Sequence, residues 1–374
     1  MDDNGIPETP KEDLPERTVP DNNNKLETER LYEEMNNLRM GIDKLKKENE
    51  NLKQNMASSG LKFNGVKDNE DCCILLTGLK PIVLKSLMNY SMKAHNPSNK
   101  PTKLSIEDQI MLTIIKLKHN PVFELLALLF NISLTTCIEY FWKWIDIMFV
   151  NIKRLIKMQD RDNIFNTIPA HFKCKFLRLT SIIDCFEVFV EAPSSMLARA
   201  RFYSQYKKHT TIKVFISCTP LGAINFVSQC YGGRPSDIQV VKESGFHTSK
   251  YHMPGDQVLA DRGFTLVEEF AAGTCFYQKK DSIVCSRNIE ISHKIASVRI
   301  HIERGLLRNQ YTILKGTIPL RLLKSIKDEK SSSIIANCDK LVVVCSVLTN
   351  LNRSIIFDKN TNTPVIDEDT NPYI

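Results

Sequence analysis

No two cysteines in this chain are spaced as CxxC, although it holds 11 of them, so a cysteine-built zinc module has nothing to stand on. Cys72 and Cys73 are merely adjacent. No run approaches the roughly 18–20 apolar residues that a bilayer span needs; the stretch LVVVCSVL from Leu341 is far too short, and no membrane partner is expected. The opening MDDNGIPETPKEDLPER lacks both a basic n-region and an apolar h-region, so a secretory signal peptide is not expected there. An odd cysteine count without such a signal points to reduced thiols. There is no Walker loop, nucleophile elbow or HExxH, which excludes the chemistries those motifs carry.

What is present is an average globular composition, 42% hydrophobic and 25% charged, over 374 residues. That suffices for two or three domains and rules out wholesale disorder. The net charge of +7 is unevenly spread. Residues 172–350 hold 25 Lys/Arg against 15 Asp/Glu, whereas the first 24 residues hold 7 acids and 2 bases. The basic half, rather than the whole chain, is the part expected to meet a polyanion.

Residues 1–24 read as a disordered acidic head. From 25 to 57 the pattern changes. Leu31, Leu38, Leu45 and Leu52 recur every seven residues, with Met35, Ile42, Asn49 and Met56 between them. Leucine at d and mixed residues at a describe a coiled coil of about four heptads, and Asn49 at a favours a parallel homodimer. Glu34 and Glu48 at g can reach Arg39 and Lys53 at e of the partner helix. A single amphipathic helix packed on its own protein has the same pattern. Residues 58–100 read as a linker, with a short helix near 80–92.

An apolar helical pattern starts after Ser105, breaks at Asn120-Pro121, resumes over 122–130, turns at Asn131 and restarts after the cap Ser133. Residues 101–157 therefore read either as a helix-turn-helix, with Thr135, Thr136 and Glu139 at the leading end of its third helix, or as a plain three-helix bundle. Beyond Pro169 the period shortens. Residues 179–183 read as a strand, 213–217 and 223–229 as a hairpin, Gln257–Ala260 as a buried strand and 291–309 as a long helix. Residues 172–350 thus form an α/β domain with a mixed sheet flanked by helices, and 351–374 a tail.

Asp184 follows the first of those strands and Asp261 follows Ala260. If the two strands are parallel neighbours, both carboxylates leave one sheet edge, where α/β folds put their sites. Asp256 begins its strand, roughly 16–17 Å from Asp261 at about 3.3 Å per residue, and cannot share a metal with Asp184. Glu303 lies on the long helix. Three hard oxygen ligands describe a divalent-metal site for phosphodiester chemistry, although three ordinary surface carboxylates have the same spacing. Asp237, in SD of GGRPSD, could instead cap the helix that follows it, and His301 points away from Glu303.

The local words narrow these readings. They run IIDCFEVFVEAPSSMLARARFYSQYKKHTTIK from Ile182, GGRPSD from Gly232, GDQVLADRGF from Gly255 and IASVRIHIERGLLRNQYTILKGTIP from Ile295. Together they resemble the DDE superfamily endonuclease domain of PIF/Harbinger-like transposases, in the lineage that often carries a THAP finger. LSIEDQIMLTIIKLKHNPVFELLALLFNISLTTCIEYF, from Leu104, is similar to the helix-turn-helix that precedes that nuclease. The resemblance covers residues 100–351. It implies an RNase H-like fold and a catalytic, metal-holding triad of Asp184, Asp261 and Glu303. Two Mg²⁺ or Mn²⁺ ions would serve to cleave and join double-stranded DNA in the nucleus. Arg199, Arg201, Lys207, Lys208, Arg262, Arg304 and Arg308, clustered near that triad, are candidates for phosphate contacts, as are Thr135 and Thr136 on the helix-turn-helix, although each alone reads equally as a surface residue. The resemblance also implies help from a separate DNA-binding partner protein. Departures are the word CFYQKKDSIVC at 275–285, Asn131 where Gly is usual, Glu139 where a base is common, and leucine heptads where the finger would stand. A catalytically silent nuclear scaffold or DNA-binding protein, dimerised by its heptads, is the alternative these departures favour.

Overall fold

The chain divides into two units, Met1–Ser59 and Gly60–Ile374. A computed structural model describes residues 22–58, 61–93, 102–169, 176–260, 274–277, 310–323, 325–327 and 334–352. In the first unit the heptad region is one helix, α1 (Asn22–Ser58). From 29 to 50 all its side chains are exposed, Leu31, Met35, Leu38, Ile42 and Leu45 included. An isolated helix gains little from propensity alone, so an apolar stripe left in water is the feature a second helix would cover.

The second unit begins with a correction. Residues 61–93 are not a linker: they fold as α2 (Phe63–Val66), α3 (Glu70–Thr77) and α4 (Pro81–Lys93). Asn69 caps α3 by accepting from the Cys72 N–H at 2.9 Å, and Gly78 closes it at φ 77°. Val66, Cys73, Leu79, Leu84, Leu87 and Met88 are buried. α4 is the short helix expected near 80–92, whereas α2 and α3, of four and eight residues, are unexpected. The Phe63 N–H donates to Asp108 Oδ1 at 2.9 Å across 45 residues.

The next three helices follow their caps. Ser105 accepts from the Asp108 N–H at the start of α5 (Ile106–His119), and Asn120 ends that helix at φ 48°. After α6 (Phe123–Phe130), Asn131 takes φ 53°, the left-handed conformation that the side chain of Asn tolerates better than most. Ser133 caps α7 (Leu134–Ile152), which runs on into the 3₁₀ turn Lys153–Leu155. Within α7, Phe141, Trp144, Ile145 and Met148 are buried, and the Trp144 indole donates to the buried Gln109 Oε1 at 3.0 Å. A short helix, α8 (Arg161–Thr167), leads to the sheet.

The sheet is built on β1 (Leu179–Phe189). After α9 (Met196–Phe202) and β2 (Tyr203–Ser204), β3 (His209–Cys218) returns antiparallel along β1. The turn 219–222 folds β4 (Ile224–Val227) back on β3, as the hairpin pattern predicts, and β5 (Tyr231–Gly232) pairs with β3 further along. Following α10 (Asp237–Ser244), β6 (Gln257–Ala260) lies parallel to β1, and β7 (Thr274–Tyr277) parallel to β6. The path is β2-β3-β1-β6-β7. A separate ribbon of β8 (Ser325–Lys327) and β9 (Ile334–Ala336) precedes α11 (Asn337–Asn350).

One sheet face, with Ile182, Phe186, Val188, Val214, Ile216 and Leu259, joins a core shared with α3–α7 and α11. The other, with Ile183, Phe215, Val258 and Ala260, packs against Val240, Val241 and Phe246. Residues 101–157 and 172–350 are therefore not separate domains with separate cores, as the period change suggests, but layers of one core. The apolar faces of α5 and α7 pack on one another and on α3, α4 and α6, and α7 also packs on α11, which carries the core on to β4 of the sheet. Among the described residues no single helix is long and apolar enough to cross a membrane.

Candidate active site

Asp184 does not follow a strand; it sits inside one. β1 continues five residues past it, because CFEVF keeps its place opposite β3, with Asp184 level with Ile216 and Phe189 level with Thr211. The carboxylate is 4% exposed. By the strand's period of two it shares the face of Ile182, Phe186 and Val188. Its Oδ1 accepts from the Cys185 N–H at 2.8 Å. Two thiols lie close, and burial pushes both far above the ordinary thiol range. The Asp184 charge adds to this at Cys218, and Asp237 followed by Asp184 does so at Cys185. The Asp184 carboxylate is a hard oxygen donor, which suits Mg²⁺ or Mn²⁺ better than a soft metal.

The expected neighbour strand is where it should be. β6 spans Gln257–Ala260, runs parallel to β1 and sets Leu259 beside Ile182. Asp261 is the next residue in the chain; it lies outside the described residues, as do Glu303, Arg262, Arg304, Arg308 and the helix expected over 291–309. At the other end of β6, Asp256 is buried and held by Arg161, with Nη2 to Oδ2 at 2.6 Å and Nε to Oδ1 at 3.1 Å, and by the Met253 N–H at 2.8 Å. That bidentate clamp ties α8 to the start of the strand and gives Asp256 a structural task. Beside it the buried His252 is pushed down to about 4 by burial, against the pull of Asp256.

Sequence reasoning missed a second polar cluster on the opposite face of β1. Glu187 and Lys213 are cross-strand partners, both 7% exposed, with Nζ to Oε1 at 3.6 Å. Lys213 Nζ also donates to Asp237 Oδ1 at 2.7 Å and to the Pro235 carbonyl at 2.9 Å, while the Thr211 hydroxyl donates to Glu187 Oε2 at 2.8 Å. Burial alone would lower the Lys213 pKa; the bond to Asp237 and the charges of Asp237 and Glu187 outweigh it and raise it. Asp237 is thus a lysine partner at the start of α10, whose cap is Ser236. The available signal was a charged residue in each of two apolar strand words, FEVF and TIKVF, but only the register shows that they meet.

With this geometry in place, residues 183–350 match the family described as DDE superfamily endonuclease. Residues 102–154 match the helix-turn-helix of DDE superfamily endonuclease. The chain carries a DDE superfamily endonuclease domain. No curated protein and no solved structure matches the chain. Asp184 is the second residue of the endonuclease match, and α11 closes it.

The endonuclease domain has a basic, aromatic rim where β1 and β3 run out toward α9. Arg199, Arg201, Lys207 and Lys208 are exposed there beside Tyr203 and Tyr206, with Lys207 Nζ 4.8 Å from the Tyr206 ring centre. The GGRP word explains how the rim is held. A Cβ on Gly232 would come within 2.4 Å of the Arg201 carbonyl oxygen, and one on Gly233 within 2.1 Å of Thr211 Oγ1, so only glycine lets β5 pass under α9. Five residues of strand, about 16 Å, separate the level of Asp184 from this end of β1.

The helix-turn-helix match takes in α5, α6 and α7, and its last two helices cross at 99°. Thr135 is exposed at the leading end of α7, whereas the Thr136 hydroxyl is joined to Ser133 Oγ at 2.8 Å within the cap. Glu139 is exposed on the same helix. On α6, Leu125, Leu128 and Leu129 are exposed, at 44%, 77% and 47%. The charged residues exposed on α6 and α7 are both acids, Glu124 and Glu139.

Proposed function

We propose that the protein is a transposase-derived nuclease of the PIF/Harbinger-like kind, in which Asp184, Asp261 and Glu303 act as one unit holding two divalent ions, Mg²⁺ or Mn²⁺. The observation that carries this reading is the parallel register of β1 and β6. Ile182 stands beside Leu259, and Asp184 and Asp261 each come two residues later in their words. A period of two keeps such positions on one face, so both acids are predicted at one level of adjacent strands. Glu303 completes the set by its place in the IASVRIHIER word. Bound metals would activate a water or hydroxyl and stabilise the leaving oxygen during strand cleavage and joining. The chain's own part is to hold carboxylates in a water-poor face and to bind phosphates through the rim of Arg199, Arg201, Lys207 and Lys208.

The strand order β3-β1-β6-β7, antiparallel then parallel, supports an RNase H-like fold. The exposed leucine stripe of α1 supports a parallel homodimer through residues 25–57. The exposed leucines of α6, with Glu139 on α7, support weak, phosphate-directed binding of double-stranded DNA by residues 104–155 and help from a separate DNA-binding partner protein in the nucleus. The test is nicking of supercoiled plasmid by the full chain. Cleavage should require Mg²⁺ or Mn²⁺, stop with chelator and vanish in Asp184→Ala while DNA binding persists. Nicking that survives Asp184→Ala would overturn the assignment.

A further inference from the structure

We propose that Cys230, Cys338 and Asp339 form a binding site for a soft divalent cation of the zinc class, distinct from the carboxylate site on β1. Cys230 lies in the connection between β4 and β5; Cys338 and Asp339 lie in the first turn of α11. Both sulfurs and a carboxylate oxygen come within 4.8 Å of one another. Zinc binds sulfur at about 2.3 Å and carboxylate oxygen at about 2.0–2.2 Å, so tetrahedral donors stand roughly 3.5–3.8 Å apart. The three groups are therefore within about 1 Å of a coordinating arrangement, a gap that small side-chain rotations close.

The surroundings are those of a built site. The Cys230 N–H donates to Asp339 Oδ1 at 2.7 Å and the Ala336 N–H to Oδ2 at 3.3 Å. The Ala336 bond is the capping bond of the first turn of α11, and together the two bonds orient the carboxylate while leaving lone pairs on each oxygen. Cys338 is buried, while Cys230 and Asp339 are half-buried, which leaves a solvent side for a water as fourth ligand. Among the described residues Asp339 makes no ion pair, and the adjacent Lys340 is drawn away to Asp146 at 2.6 Å. Among the described residues, three groups that ionise to anions thus converge with no ion-pair partner on Asp339.

Loading such a site releases the two thiol protons and forms two sulfur–metal bonds and one oxygen–metal bond, with no redox change. It would tie the β4–β5 connection to the first turn of α11, the helix that packs on β4 and α7. Residues 230 and 338 are too far apart in sequence for any CxxC-type screen to pair them.

The test uses the full chain, reduced and metal-free, titrated with Co²⁺. One equivalent should produce a thiolate-to-cobalt charge-transfer band together with tetrahedral ligand-field absorption, and Zn²⁺ should displace both. The band should be lost in Cys230→Ser and in Cys338→Ser and retained in Asp184→Ala, since carboxylates alone give no such band. Cys230→Ser, at a half-buried position, keeps the test decisive if Cys338→Ser fails to fold. Zn²⁺ at a hundredfold excess over its Kd should raise the melting temperature by about 5 °C in the parent chain and not in Cys230→Ser. A missing band, a band that survives Cys230→Ser, or a Cys230–Cys338 disulfide in protein purified without added oxidant would each overturn the proposal.

Discussion

Asp184 and Glu187 are three residues apart on one strand, equally deep, and on opposite faces of the sheet. Around Glu187 the charges close within the protein: Lys213 lies opposite, Asp237 shares the lysine and Thr211 bonds the second oxygen. Asp184 shares its face with Ile182, Phe186 and Val188 of the larger core, and the N–H of Cys185 orients one of its oxygens. A buried carboxylate with a lysine in register ties strands together. The other acid stands level with the end of a parallel strand, and the metal-holding role proposed for it rests on that register. Burial alone does not mark a functional acid; what faces it does.

The comparison breaks most sharply at Asp184. Asp184→Ala should reduce nicking on the order of a thousandfold or more, because members of one catalytic unit fail together. Asp184→Asn should melt at the same temperature or higher, since a buried charge is removed. A fall in melting temperature as large as that of a Lys213 variant would mean that both faces are structural.

On the other face the ranking reverses. Lys213→Met leaves Glu187 buried without its cross-strand cation and should cost about 3–5 kcal/mol in a denaturant titration. Metal affinity per folded molecule, measured by Mn²⁺ titration, should stay as it was.

His252 sharpens the same face through pH. It packs edge-on against Phe246 in the α10 layer, with ring centres 4.6 Å apart. Its pKa falls from 6.5 in the open chain to about 4 in the fold, so on acidification the unfolded state takes up the proton first. The stability this group confers is whole above pH 6.5 and is lost progressively down to pH 4, a total of roughly 3 kcal/mol. Thermal melts across that window should show the loss in the parent chain and a flatter profile in His252→Phe.

The smallest change touches neither face. Leu38→Lys on α1 should weaken self-association at least thirtyfold, or about 2 kcal/mol, by sedimentation. The melting of Gly60–Ile374 should not move. A parent chain that sediments as a monomer at tens of micromolar would remove the coiled coil.

Much of this was legible in the amino-acid order where a local rule suffices. Ser105 and Ser133 cap the helices they precede, Asn120 and Asn131 take the left-handed turns, and Gln257–Ala260 is the strand its apolar run describes. The heptads of α1 lie on one continuous helix. The reading failed where a polar residue interrupts a run that tertiary contacts carry on. Asp184 looks like the end of a strand because a charged residue breaks the apolar run there, yet the run resumes at Cys185 and β3 supplies hydrogen-bond partners for five more residues. Within 61–93 only the thirteen-residue α4 is expected; α2 and α3, with four and eight residues among polar ones, read as linker.

Caps, turns and heptads depend on neighbours within a few residues, and for these the order of side chains was sufficient. The meeting of Glu187 with Lys213 and the level of Asp184 beside the end of β6 depend on strand register. So does the fusion of the helix-turn-helix with the nuclease sheet in one core depend on contacts between distant segments. A one-residue slip would turn each of those side chains to the other face. Nothing local sets that register; the packing of the whole unit does.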